Sequence, residues 1–215
     1  MSRGRSAGRI FSAIAFLVIG ATAATLWHST GPAPSTVRAP AAVDVGFSQD
    51  MIVHHQQAVT MAQTVRGRVS PPVARLALAI ELNQLREIGQ MQGWLALWNA
   101  PQVPSGPPMT WMSDGHQGHG SRRAADDPMP GLASQPELDR LAEAKGKDLD
   151  AWFLQLMIRH HQGGLAMTTA AARTATHPQV RALATLMTTE QHKEIATMTG
   201  LLAALGERPL PAPNG

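Results

Sequence analysis

Met51-Ile52-Val53-His54-His55-Gln56-Gln57-Ala58-Val59-Thr60-Met61-Ala62 returns 106 positions later as Met157-Ile158-Arg159-His160-His161-Gln162-Gly163-Gly164-Leu165-Ala166-Met167-Thr168. The match reaches upstream, pairing Asp44 with Asp150 and Phe47 with Phe153. A second shared stretch follows each copy. Leu76, Gln84, Glu87, Ile88, Met91 and Leu95 pair with Leu183, Gln191, Glu194, Ile195, Met198 and Leu202, now 107 positions apart. Such a repeat is to be read before anything else, because it sets the structural unit. Here the unit is a pair of helices used twice.

Apolar residues recur at helical spacing through Phe47, Met51, Ala58, Met61 and Val65, which predicts a helix from about Asp44, its expected N-cap, to Gly67. Ser70-Pro71 is a start signal, with Ser as cap and Pro in the first turn, for a helix to about Trp98. The short turn between them makes an antiparallel hairpin. The second copy predicts helices over about 149–174 and from Thr176-His177-Pro178 to about Leu205, stopped by Gly206. Ser134-Gln135-Pro136-Glu137 is a capping-box pattern that opens a short helix before it. The expected fold is all-α, a four-helix bundle of two repeated hairpins related by a pseudo-two-fold axis.

The organisation along the chain follows. Residues 1–30 hold Arg3, Arg5 and Arg9 and then the uncharged run Ile10 to Leu26, with Trp27 at its end. This pattern is either a membrane anchor or a cleaved signal peptide, with Ala21-Thr22-Ala23 as the cleavage candidate. Both readings export the rest of the chain, and the first makes the membrane a partner. A Pro-rich spacer covers 31–43. The first hairpin takes 44–99, a polar Gly/Pro/His/Met linker 100–133, the short helix and second hairpin 134–206, and a disordered tail 207–215.

Composition narrows the chemistry. There is no Cys, which excludes disulfides, thiolate zinc sites and a Cys nucleophile. The charge of +3 misleads, since removing the three N-terminal arginines leaves 15 basic residues (18 less 3) against 15 acids. No basic cluster remains, so nucleic acid is discounted as a partner. No nucleophile constellation or phosphate loop is visible.

On a helix turning about 100° per residue, Met51, His54, His55 and Met61 share one broad face with Phe47. That is the face a bundle buries. Gln84, Glu87 and Met91 lie within the apolar stripe of the partner helix. Buried ionisable groups are costly unless paired or bound to metal. Two plain readings compete with a metal site: a His–Glu hydrogen bond inside an ordinary core, or one His of each pair at the solvent edge. Against both stands the recurrence of the whole set in each half. Thioether is soft and selects Cu(I), while imidazole suits copper or zinc. A di-iron site needs Glu-x-x-His on two helices, and no Glu precedes these His residues.

The expected ligands are His54, His55, His160 and His161, with Met51, Met61, Met157, Met167, Met91 and Met198 supplying thioethers. Glu87, Glu194, Gln84 and Gln191 are expected to hold and orient them. In the linker, His116 and His119, near Met109, Met112 and Met129, form a second candidate capture site.

These motifs, together with Met129-Pro130-Gly131 before the second copy, resemble the domain-of-unknown-function 305 family over about Val43 to Leu205. The resemblance implies a ferritin-like four-helix bundle, export in bacteria and, for some members, periplasmic copper binding. Two positions depart from the family pattern: Leu132, where Met is usual, and Gly164, where Ala is usual. The functional expectation is an exported copper-binding protein that sequesters copper or hands it on. A metal-dependent oxidoreductase and a purely structural or sensory module are the alternatives.

Overall fold

The structure is a computed structural model that describes residues 38–115 and 129–213. Among them are five α-helices, one 3-10 helix and no strand. Helix α1 spans Ala42–Thr64 and α2 Pro71–Leu97. A 3-10 helix follows at Thr110–Gly115. Then come α3 (Gln135–Glu143), α4 (Gly146–Thr174) and α5 (Pro178–Ala204). Helices α1 and α2 form one hairpin, α4 and α5 the other, and the two hairpins meet through α1 and α4. No described helix is long and apolar enough to cross a membrane. The segment Ile10 to Leu26 lies outside the described residues.

The helices begin and end where the sequence punctuates them. Pro occupies the first turn of α2 and α5, where a missing N–H costs nothing. Gly67 and Gly206 turn the chain at φ 72° and 73°, a region open to glycine. Ser134 and Glu137 make the expected capping box on α3, the Ser134 N–H donating to Glu137 Oε2 at 2.8 Å.

Asp44 departs from expectation. It is not the N-cap of α1, which is Ala41; Asp44 stands one turn inside and accepts the Ala41 N–H at 2.9 Å. Its carboxylate also accepts the N–H groups of Thr176 and His177 at 2.9 and 3.0 Å, and the Thr176 hydroxyl. It therefore caps the other hairpin's last helix. Asp150 does the same in reverse, accepting the Ser70 N–H at 3.0 Å at the head of α2. Ser70 holds the cap position but its hydroxyl makes no capping bond. A carboxylate at a helix N-terminus satisfies orphan donors and the positive end of the dipole together. The two hairpins are thus cross-locked by the duplicated Asp.

The core has two apolar clusters. One joins the C-terminal half of α1 and the N-terminal half of α2 to Leu149–Ile158 of α4 and Met198 and Leu202 of α5. The other joins Phe47, Met51, Ile52 and Val59 to Ile88, Met91 and Leu95, to Met167 and Ala171, and to Val180–Met187. Between them in every long helix lies the polar set: His54 and His55, Gln84 and Glu87, His160 and His161, Gln191 and Glu194. The bundle is a polar layer between two apolar ends.

The linker's first part is more ordered than its composition implied. Trp111 packs edge-on against Phe47, with ring centroids 5.8 Å apart, and joins the second cluster. Asp50 Oδ2 accepts the Trp111 Nε1–H at 2.8 Å and the Met109 N–H at 2.7 Å. Gly46 makes room: a Cβ there would lie 2.5 Å from the indole. In the second repeat position 152 is itself Trp, whose Nε1–H donates to the Glu137 carbonyl at 3.1 Å and whose ring carries the Arg140 guanidinium at 3.7 Å. Beyond Gly206 the chain still touches the bundle: Gln155 Nε2 donates to the Arg208 carbonyl at 2.7 Å, and Leu210 packs on the first cluster.

Candidate metal centre

All four motif histidines are buried, at 0–1% exposure. They divide by hydrogen bonding into an outer and an inner pair. In the outer pair, His55 Nε2 meets Glu87 Oε2 at 2.8 Å and His161 Nε2 meets Glu194 Oε2 at 2.6 Å. In the inner pair, His160 Nε2 meets the His54 carbonyl at 2.9 Å, and His54 Nε2 meets the Pro130 carbonyl at 3.2 Å. The inner rings touch across the bundle axis, centroids 3.8 Å apart.

Ionised carboxylates and carbonyls only accept, so each Nε2 carries the proton. The other ring nitrogen of each is Nδ1, which is a lone pair whenever the ring is neutral. The Nδ1 atoms of His54, His55 and His161 are buried without a partner, as are Oε1 of Gln84 and of Gln191. Burial holds His54 down to about pKa 3, helped by repulsion from His55 and His161 and opposed by the Pro130 hydrogen bond. Burial also depresses His160, with repulsion from His54 and His161 adding to it. The inner pair is therefore uncharged at neutral pH, the form that binds metal.

Six methionines flank this layer, each with 0% exposure: Met51, Met61, Met91, Met157, Met167 and Met198. They fall into two triads. Met51, Met91 and Met167 belong to one apolar cluster; Met157, Met198 and Met61 belong to the other. The repeat maps Met51 on Met157, Met91 on Met198 and Met167 on Met61, so it exchanges the triads. Each triad takes two residues from one hairpin and one from the other.

Among the described residues no three His, Asp or Glu side chains stand together as a group able to hold an ion. His116 and His119 lie outside the described residues.

The connection 129–137 crosses this layer. Gln57 clamps Ala133 at both backbone atoms, accepting its N–H at 2.7 Å and donating to its carbonyl at 2.9 Å. Gly163, the repeat counterpart of Gln57, lets the Pro130 carbonyl approach: a Cβ there would lie 1.9 Å from that oxygen. Gly131, at φ 83°, lies against α4 in turn: a Cβ there would lie 2.5 Å from the Arg159 carbonyl oxygen. Arg159 holds both oxygens of Glu137 at 2.7 Å. Sequence reasoning missed the Pro130 carbonyl as the partner of His54. The adjacent glycines at 163 and 164, inside a helix that disfavours them, were the available signal.

The match to known proteins agrees with this architecture. The family model described as domain of unknown function (DUF305) covers residues 44–202. The chain belongs to the DUF305 family. Among solved DUF305 proteins, one from Streptomyces coelicolor that carries a secreted assignment is 40% identical, with a TM-score of 0.71 over 79% of this chain and 97% of its own. A DUF305 fragment from Deinococcus radiodurans is 32% identical, with a TM-score of 0.62 over 77% of this chain and 99% of its own. CopM, solved in Cu(I)-, Cu(II)- and silver-bound forms, is 26% identical in the Cu(I) form, with a TM-score of 0.57 over 75% of this chain and 96% of its own. No curated protein matches.

Proposed function

We propose that this DUF305 protein binds copper outside the cytoplasm, sequestering it or handing it on. The observation that carries the reading is the set of buried, unpartnered imidazole Nδ1 atoms between two fully buried methionine triads. Buried polar atoms are ordinarily paired, and imidazole nitrogen together with thioether sulfur is a donor set for a soft monovalent ion. His55 with Met51, Met91 and Met167 would serve one ion; His161 with Met157, Met198 and Met61 would serve the other. Glu87 and Glu194 hold the far N–H of these two rings, as carboxylates commonly do behind a metal-bound imidazole. The inner pair His54 and His160 stands between the two sets. CopM, bound to Cu(I), Cu(II) and silver, supports the choice of metal.

Export rests on Arg3, Arg5 and Arg9 before Ile10 to Leu26, and the secreted assignment of the Streptomyces relative supports it. The N-terminal run then acts as anchor or as signal. A purely structural role explains the His–Glu hydrogen bonds but not the unpartnered Nδ1 atoms.

The test is a Cu(I) titration of untagged protein, followed by X-ray absorption. Sulfur-dominated coordination with one imidazole per ion is expected. A folded His54→Ala/His55→Ala/His160→Ala/His161→Ala variant that binds as tightly as wild type would refute the bundle site.

A further inference from the structure

The two methionine triads are equivalent by the repeat, but their surroundings differ. Among the described residues, the cluster around Met61, Met157 and Met198 holds no other methionine. The cluster around Met51, Met91 and Met167 also contains Met129 and Met187, and Met109 and Met112 pack on its outside. Met109, Met112 and Met129 come from the single-copy connection between the hairpins, so the asymmetry is not a relic of duplication. Met109 and Met112 are half-buried, open to solvent on one side and to the cluster on the other.

The placement of these two residues is specified. Met109 has φ 65°, a left-handed conformation that non-glycine residues adopt at a cost and keep where their surroundings impose it. What imposes it is Asp50, which takes the Met109 N–H and the Trp111 indole N–H on one oxygen. Asp50 directly precedes Met51 of that cluster's triad. The bare Gly46 surface seats the indole between the two methionines.

We propose that Met109 and Met112 form a surface capture site for Cu(I), which passes by way of Met129 to the Met51, Met91 and Met167 triad. This rests on the copper-binding reading above. Transfer is ligand exchange: one Cu–S bond forms as another breaks, with no change of oxidation state. Neutral thioethers release no proton, so exchange needs no base in the apolar cluster. Among the described residues the opposite triad has no further methionine beside it, and it fills more slowly.

Rapid mixing of the full-length protein with a coloured Cu(I) chelate, following loss of the chelate absorbance, tests this. Wild type should load in a fast and a slow phase. Met109→Leu/Met112→Leu, close in volume and so mild in packing, should slow the fast phase while leaving the rate of the slow phase unchanged. Met61→Leu/Met198→Leu should remove the slow phase and spare the fast one. A fast phase untouched by the linker substitutions, or a single phase in wild type, overturns the capture site. Wild type that takes up no Cu(I) at all overturns the copper reading itself.

Discussion

Gly163→Ala and Gly89→Ala make the same change in two helices and should move stability in opposite directions. Gly89 lies on the exposed face of α2, and a Cβ there meets nothing within 4 Å. The substitution gains only helix propensity, about 1 kcal/mol. Gly163 gains the same, but its Cβ would lie 1.9 Å from the Pro130 oxygen, 2.3 Å from its carbon and 2.7 Å from the Gly131 nitrogen. These are backbone atoms, so the 129–133 segment has to lift. Overpacking costs about 1–3 kcal/mol. If Pro130 withdraws, the buried His54 Nε2–H loses its acceptor, which costs about 1–3 kcal/mol more. After the propensity gain, the expected loss is about 1–5 kcal/mol. For a domain of this size each kcal/mol moves Tm by about 2–4 °C. Thermal unfolding of the two variants should therefore shift down and up respectively. Hydrogen exchange of the Ala133 amide, held by Gln57 in wild type, should accelerate in Gly163→Ala alone. A Gly163→Ala protein as stable as wild type, with Ala133 still protected, would show that the strap does not depend on the missing Cβ.

Three further outcomes are expected. Asp44→Ala should cost more than Asp150→Ala in urea unfolding, because Asp44 accepts bonds from Ala41, Thr176 and His177 while Asp150 accepts the Ser70 N–H; about 1.5–3 kcal/mol is expected at Asp150 for its one charged hydrogen bond and more at Asp44, and equal costs would contradict the cross-lock. The Arg159 hydrogen bonds hold the Glu137 carboxyl at about 2, below its ordinary 4.5, despite opposing burial; a depressed carboxyl contributes its stability above the unfolded value and loses it as pH falls through the folded value, so the stability gap between wild type and Glu137→Gln should close between about pH 4.5 and 2 and a constant gap would count against the bridge. Glu87→Gln and Glu194→Gln should each weaken copper binding by about 10–100-fold in chelator competition, and His55→Ala and His161→Ala should weaken it more; unaffected affinity would remove the carboxylates from the site.

The helices were legible because their signals are local. Periodicity, Ser70-Pro71, His177-Pro178, Gly67 and Gly206 act over one or two turns, and α2 and α5 begin at those prolines. The buried polar layer was legible as a residue set because the repeat marked it. Its internal division was not. Adjacent histidines point about 100° apart, so one per helix had to face elsewhere, but only tertiary structure gives His55 and His161 the carboxylates and His54 and His160 the carbonyls. Asp44 misled because its capping target lies 132 positions away, at a helix the chain has not yet made. Trp111 was hidden in a Gly- and Pro-rich stretch, where a single aromatic carries no period.

The differences between the two copies have one common cause. Two hairpins related by a repeat are joined by a connection that exists once, so both cannot meet it in the same way. At position 46 the first copy has Gly and receives Trp111; at 152 the second copy has its own Trp and meets α3. At position 57 the first copy has Gln and grips Ala133 with its side chain; at 163 the second has Gly and accepts Pro130 against bare backbone. The outer histidines escape this divergence, each meeting the equivalent Glu of its own hairpin, whereas the inner pair does not: His54 meets the Pro130 carbonyl of the linker and His160 the His54 carbonyl. Divergence between the halves therefore traces the path of the linker across the bundle.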